Sequence, residues 1–166
     1  MNPDSPRDDR AGTYLAFPLG DEYYGLPILA VQEIIGLMAI TAVPWTPPFV
    51  RGVVNLRGKV LPIVDLRRRF GLPADEERER CIMVLQVSAK AGGHIVMGLI
   101  IDHVPDVHAI AGADIEDPPS FCGGSDAAFV LGVAKVGERV VMLLDSDLLL
   151  GQGKLEHLQQ EAEYHE

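Results

Sequence analysis

One segment of this chain occurs twice. Residues 50–72 read V-R-G-V-V-N-L-R-G-K-V-L-P-I-V-D-L-R-R-R-F-G-L, and residues 130–151 read V-L-G-V-A-K-V-G-E-R-V-V-M-L-L-D-S-D-L-L-L-G, 80 residues later. Laid together, they pair Gly52 with Gly132, Val53 with Val133, Val60 with Val140, Asp65 with Asp145 and Gly71 with Gly151. Each copy is a short apolar run, a tight turn, and a second apolar run closed by Asp and a helical turn, which is a hairpin signature. The differences separate scaffold from specialisation. Asn55, Arg57, Gly58 and Pro62 in the first copy stand against Lys135, Gly137, Glu138 and Met142 in the second, which singles out Arg57.

The upstream halves match as well. Tyr24-Gly25-Leu26 with Ile28 and Val31 lies 73 residues before Met97-Gly98-Leu99 with Ile101 and Val104, and each set follows a strand pattern and a polar turn. Short, regularly spaced strands rich in Val, Ile and Leu and broken by Gly and Pro predict an all-β protein with a small barrel in each half. Barrels of roughly 65 to 75 residues lie near the lower size limit for a stable core, so the two are expected to share one by packing together. The expected organisation is a flexible segment at 1–13, a first β-barrel subdomain at 14–80, a second at 81–151, and a C-terminal helix or tail at 152–166. Interleaving of the two barrels into one domain is the alternative. In the tail, Leu155, Leu158 and Ala162 make only a thin apolar stripe. Gly52 and Gly132 mark equivalent bends or close approaches, so Val at either is expected to lower the melting temperature by a similar amount.

Composition excludes several classes. A chain that is 48% hydrophobic over 166 residues is too apolar to be disordered. No run of about 18 apolar residues is present, and residues 1–6 carry neither a basic start nor an apolar core, so neither membrane insertion nor secretion is expected. Cys81 and Cys122 make no disulfide framework. A net charge of −10 argues against nucleic acid. The charge is uneven, however: Arg51, Arg57, Lys59, Arg67, Arg68 and Arg69 surround the single acid Asp65. A basic face of this kind suits an acidic protein partner, although Arg67 to Arg69 also fit the solvated side of a helical turn. Arg57 fits that bland reading less well, because a tight turn more readily takes Asn-Gly or Asp-Gly.

No constellation for catalysis emerges. Asp102, His103, Asp106 and His108 are close in sequence, yet on an extended strand 103 and 106 face opposite sides and no second cluster completes a metal shell. Cys122 has no base or oxyanion donor placed near it, and Gly123-Gly124-Ser125 lacks the Gly-Lys-Ser/Thr of a phosphate loop. An adaptor for Pro-rich peptides requires a floor of aromatics. Aromatics make up 6% of the chain, with Tyr23, Tyr24 and Trp45 scattered.

Three motifs resemble the CheW family of bacterial chemotaxis coupling proteins: N-L-R-G-K-V-L-P-I-V-D-L-R-R-R-F (55–70), F-P-L-G-D-E-Y-Y-G-L-P-I-L-A-V-Q-E-I (17–34) and G-L-I-I-D-H-V-P-D-V (98–107). They fall in the family's order and spacing, over about residues 14–150. The resemblance implies two SH3-like five-stranded β-barrels packed on a common apolar core, with short helical turns, no catalytic activity, no cofactor and no metal. It implies a scaffold bridging chemoreceptor cytoplasmic tips to the regulatory domain of a CheA-type histidine kinase. Such a protein is cytoplasmic and recruited to membrane-associated receptor arrays. Carried over residue by residue, receptor binding falls on Val31, Glu33, Arg57, Gly98, Leu99 and Val104, and kinase binding on Ile28, Gly52 and Val53. A groove with an apolar floor of Val31, Leu99 and Ile101 and one fixed cation at its rim would bind an amphipathic helix carrying a carboxylate. Ordinary core is the competing role for those three residues, and the favoured one for Ile101. Pro27 removes a backbone donor and is expected to blunt a sheet edge.

Overall fold

The computed structural model describes residues 9–73, 75–88, 92–118 and 130–147. Cys122, residues 123–125 and the expected C-terminal helix or tail lie outside the described residues. The strands are β1 (Gly12–Leu19), β2 (Glu22–Pro27), β3 (Val31–Gly36), β4 (Val50–Leu56), β5 (Lys59–Asp65), β6 (Cys81–Ser88), β7 (His94–Ile101), β8 (Asp106–Ile110), β9 (Ile115–Glu116), β10 (Val130–Val136) and β11 (Arg139–Leu144). One short helix, α1 (Leu66–Arg69), comes after β5, and Ile28–Ala30 and Gly112–Asp114 form 3-10 turns.

Two sheets result, in the orders β8-β1-β2-β11-β10-β9 and β3-β6-β7-β5-β4. Both close on themselves by the same device. β8 and β9, the edges of the first sheet, are consecutive in the chain and joined by the Gly112–Asp114 turn, so one interrupted strand spans the gap. In the second sheet the segment after β3 returns to β4, where Thr41 and Val53 exchange two backbone hydrogen bonds of 2.9 Å each. Counting each interrupted strand once gives five strands per barrel, as a small closed barrel requires.

Neither sheet is confined to residues 14–80 or 81–151. β1 and β2 belong to the first copy of the repeat but pair within the sheet that holds β8–β11, and β6 and β7 of the second copy pair within the sheet that holds β3–β5. The joints are parallel: β2 lies along β11 with Gly25 opposite Leu143, and β7 along β5 with Gly98 opposite Ile63. The two copies have thus exchanged their first hairpins. Gly25 and Gly98 sit at equivalent points of the two joints because neighbouring side chains occupy the Cβ space: Leu143 and Val141 at 3.2 Å in one, Ile82 and Ile63 at 2.6 and 2.7 Å in the other.

Period-2 alternation sorts side chains among three cores. Tyr14, Ala16, Ile110, Ile115, Ala134, Val141 and Leu143 fill the first barrel. Val54, Leu61, Ile63, Ile82, Val84 and Ile100 fill the second. The largest cluster lies between the barrels, where Phe17, Leu19, Tyr24 and Leu26 meet Met83, Leu85, Met97, Leu99 and Ile101. β6 and β7 are apolar on both faces because one face lines a barrel and the other this shared core.

Candidate functional site

The β4–β5 turn is built from Arg57 and Gly58, with φ of 52° and 86°. Two successive left-handed residues make the tight turn that matches strand twist, and glycine or asparagine suits both positions best. A side chain there strains the backbone by about 1–2 kcal/mol. In the second copy Gly137 takes the place of Arg57, with φ of 62°. Asn55 supports the strained turn, its Oδ1 accepting a 2.9 Å hydrogen bond from the Gly58 N–H. An arginine held where glycine fits better is an outlier pointing toward function.

The Arg57 guanidinium is exposed and donates to the Glu33 carboxylate, from β3. The two charged residues expected at the receptor site therefore meet as an ion pair. Val31, two residues back on β3, is half-buried against the shared core, and a bulge between Val31 and Glu33 shifts the register with β6. Val104 is 69% exposed on the crossover that leads from β7 to β8.

The other expected site residues differ in how far they reach solvent. Leu99 is fully buried in the shared core beside Ile101, which takes the core role favoured for it, and Gly98 is buried at the parallel joint, so none of the three floors a groove open to solvent. Gly52 is enclosed: a Cβ there would overlap the Thr41 carbonyl. Val53 bonds to Thr41 through both its N–H and its C=O, and its strand pairs with β5 on the other side, so the strand after Gly52 is no open edge. Ile28 is exposed on the turn between β2 and β3, and its neighbour Leu29, which sequence reasoning passed over, is 97% exposed. Pro27 sits on β2 opposite Tyr14 of β1, past the end of the pairing with β11.

The basic face is largely neutralised within the molecule. Arg51 pairs with Glu79 at 2.6 Å, Glu76 at 3.5 Å and Asp65 at 3.6 Å. Burial works against its charge, but these carboxylates outweigh it and the Arg51 pKa rises. Arg67, expected on a solvated turn, is buried and paired with buried Asp102. Arg68 lies 3.5 Å from Asp65, and the Arg69 guanidinium sits 5.6 Å above the Phe49 ring. Burial pushes the Cys81 thiol pKa up, away from nucleophilic use. Among the described residues no helix is long and apolar enough to cross a membrane, and no group of three or more His, Cys, Asp or Glu residues could hold a metal ion.

A family model described as a CheW-like domain matches residues 13–154. The chain is 36% identical to the chemotaxis protein CheW of Klebsiella aerogenes, covering 92% of this chain and 89% of that one. It is 37% identical to the chemotaxis protein CheW of Rhizobium meliloti, covering 80% and 83%. Among solved structures it resembles the scaffolding protein TtCheW from Thermoanaerobacter tengcongensis, with a TM-score of 0.72 and 33% identity over 87% of this chain and 95% of that one. By sequence along nearly its whole length and by fold, this chain belongs to the CheW-like domain family and serves as an adaptor in chemotaxis signalling.

Proposed function

We propose that the protein is a non-catalytic scaffold that holds a chemoreceptor cytoplasmic tip and a CheA-type histidine kinase together, in the cytoplasm at membrane-associated receptor arrays. The observation that carries this reading is Arg57, kept at a strained turn position that the second copy gives to glycine, and presented in solvent beside Glu33. A surface ion pair of this kind adds at most about 1 kcal/mol to stability, so stability does not account for it. Recognition does. The guanidinium has five donors, and Glu33 engages only part of the fork while fixing its direction, so a carboxylate on a receptor helix can take the remainder.

The test uses Arg57→Gly, which puts at this position the residue that the second hairpin carries. The melting temperature is expected to hold or rise, binding to the receptor cytoplasmic fragment to fall by about tenfold or more, and binding to the kinase to persist. A charge-exchanged double variant, Glu33→Arg with Arg57→Glu, restores the internal pair but should not restore receptor binding. Receptor binding retained by Arg57→Gly overturns the reading, as does ATP hydrolysis or autophosphorylation by the purified protein alone.

A further inference from the structure

Trp45 is, with Arg57, one of two non-glycine residues with positive φ among the described residues. Its φ is 59° and its side chain is 99% exposed. A bulky residue in the left-handed region is strained, and an indole wholly in water contributes nothing to the core. The loop that displays it is nonetheless firmly fixed. The Thr46 hydroxyl donates to the Val43 carbonyl at 3.1 Å, Val50 N–H to the Pro47 carbonyl at 2.9 Å, and Asp65 N–H to the Phe49 carbonyl at 2.8 Å. Pro44, Pro47 and Pro48 restrict the backbone around it further. An aromatic carried into solvent on a fixed backbone leaves less freedom for binding to remove, which is the property of an interface anchor.

We propose that Trp45 anchors a second protein-binding surface, whose occupant is a folded partner presenting an apolar pocket rimmed by carboxylates. Charge points to the rim. Arg68, 39% exposed beside Asp65, also reaches the Pro48 carbonyl at 3.4 Å, and Arg69 covers Phe49, so two guanidinium groups flank the loop. Position points to the partner. The loop meets the Val50 and Asp65 ends of β4 and β5, whereas Arg57 turns at their other end. Seven-residue strands separate the two by about 20 Å, so a receptor helix seated at Glu33 and Arg57 leaves Trp45 uncovered. Resting on the scaffold reading, this assigns Trp45 to the kinase side.

Trp45 is the only tryptophan of the chain, so 5-fluorotryptophan labelling gives one fluorine resonance that reports this site alone. Titration with the regulatory domain of the kinase is expected to shift and broaden it, while the receptor fragment leaves it unmoved. Trp45→Gly should weaken kinase binding by about tenfold or more, with receptor binding kept. Because glycine relieves the strain, its melting temperature should not fall, which separates lost contact from lost fold. Kinase binding with an unmoved resonance, or at full strength in Trp45→Gly, overturns the proposal. A resonance that moves with the receptor fragment, or with protein concentration alone, also overturns it in favour of that occupant. Wild-type protein that binds no kinase by calorimetry removes the scaffold reading itself.

Discussion

Gly52 and Gly132 hold the same place in the two hairpins, each at a register shift in its strand pair, yet an added methyl group meets different surroundings. At Gly52 it would lie 2.7 Å from the Thr41 carbonyl carbon and closer still to its oxygen, on a backbone with φ of 144° that only glycine adopts readily. At Gly132 the neighbours are the Glu116 carbonyl and the Ile115 side chain at 2.9 Å and the Arg10 guanidinium at 3.0 Å, with no positive φ. Gly52→Ala is therefore expected to destabilise by about 3 kcal/mol and Gly132→Ala by about 1 kcal/mol, with scanning calorimetry showing melting losses of roughly 6–12 °C and 2–4 °C. Equal losses, expected from the alignment alone, would mean that the Thr41 backbone moves aside. The repeat identified both glycines because spacing is visible in sequence. It could not rank them, because their difference lies in what the return strand brings against each.

Between elements, the Asp that closes each hairpin has the same duty in both copies. Asp65 accepts from the Arg67 N–H at 3.0 Å and Asp145 from the Asp147 N–H at 2.9 Å, so both cap the next turn of the chain. The capped turns then diverge. Arg67 is buried against Asp102, tying α1 to the crossover between β7 and β8, and its Nε lacks a partner. At the corresponding positions near the other crossover stand Asp147 and Leu29, and Leu29 is exposed. Removing one charge strands the other: Arg67→Met should cost about 3–5 kcal/mol, and Arg67→Met with Asp102→Leu should regain most of it. Urea unfolding of the two variants checks this, and a double variant no better than the single one would show that the pair acts through more than its charges. The three consecutive arginines read as a solvated turn because only a contact 35 residues away distinguishes Arg67 from its neighbours.

At the scale of the whole molecule, the exchange of first hairpins makes the two halves depend on each other. A polypeptide of residues 1–80 contains β1–β5 but lacks the partners of β2 and β5 at the parallel joints, and residues 81–166 lack theirs equally. Each half expressed alone is expected to give the circular dichroism of an unfolded chain, and refolding the two together to recover the β signal. A half that folds alone would show that one copy can close a barrel on its own first hairpin. The all-β class, the repeat and the family were legible from the residues, since strand period, turn residues and motif spacing are local properties of the chain. Which repeat supplies which barrel was not, because a hairpin satisfies its own hydrogen bonds identically in either partner. The same limit governed the site. The turn at Arg57 marked itself by an unusual residue, whereas the burial of Leu99, the enclosure of Gly52 and the pairing of Arg67 depend on surfaces that meet only when the two barrels close and pack, and those the tertiary structure alone decided.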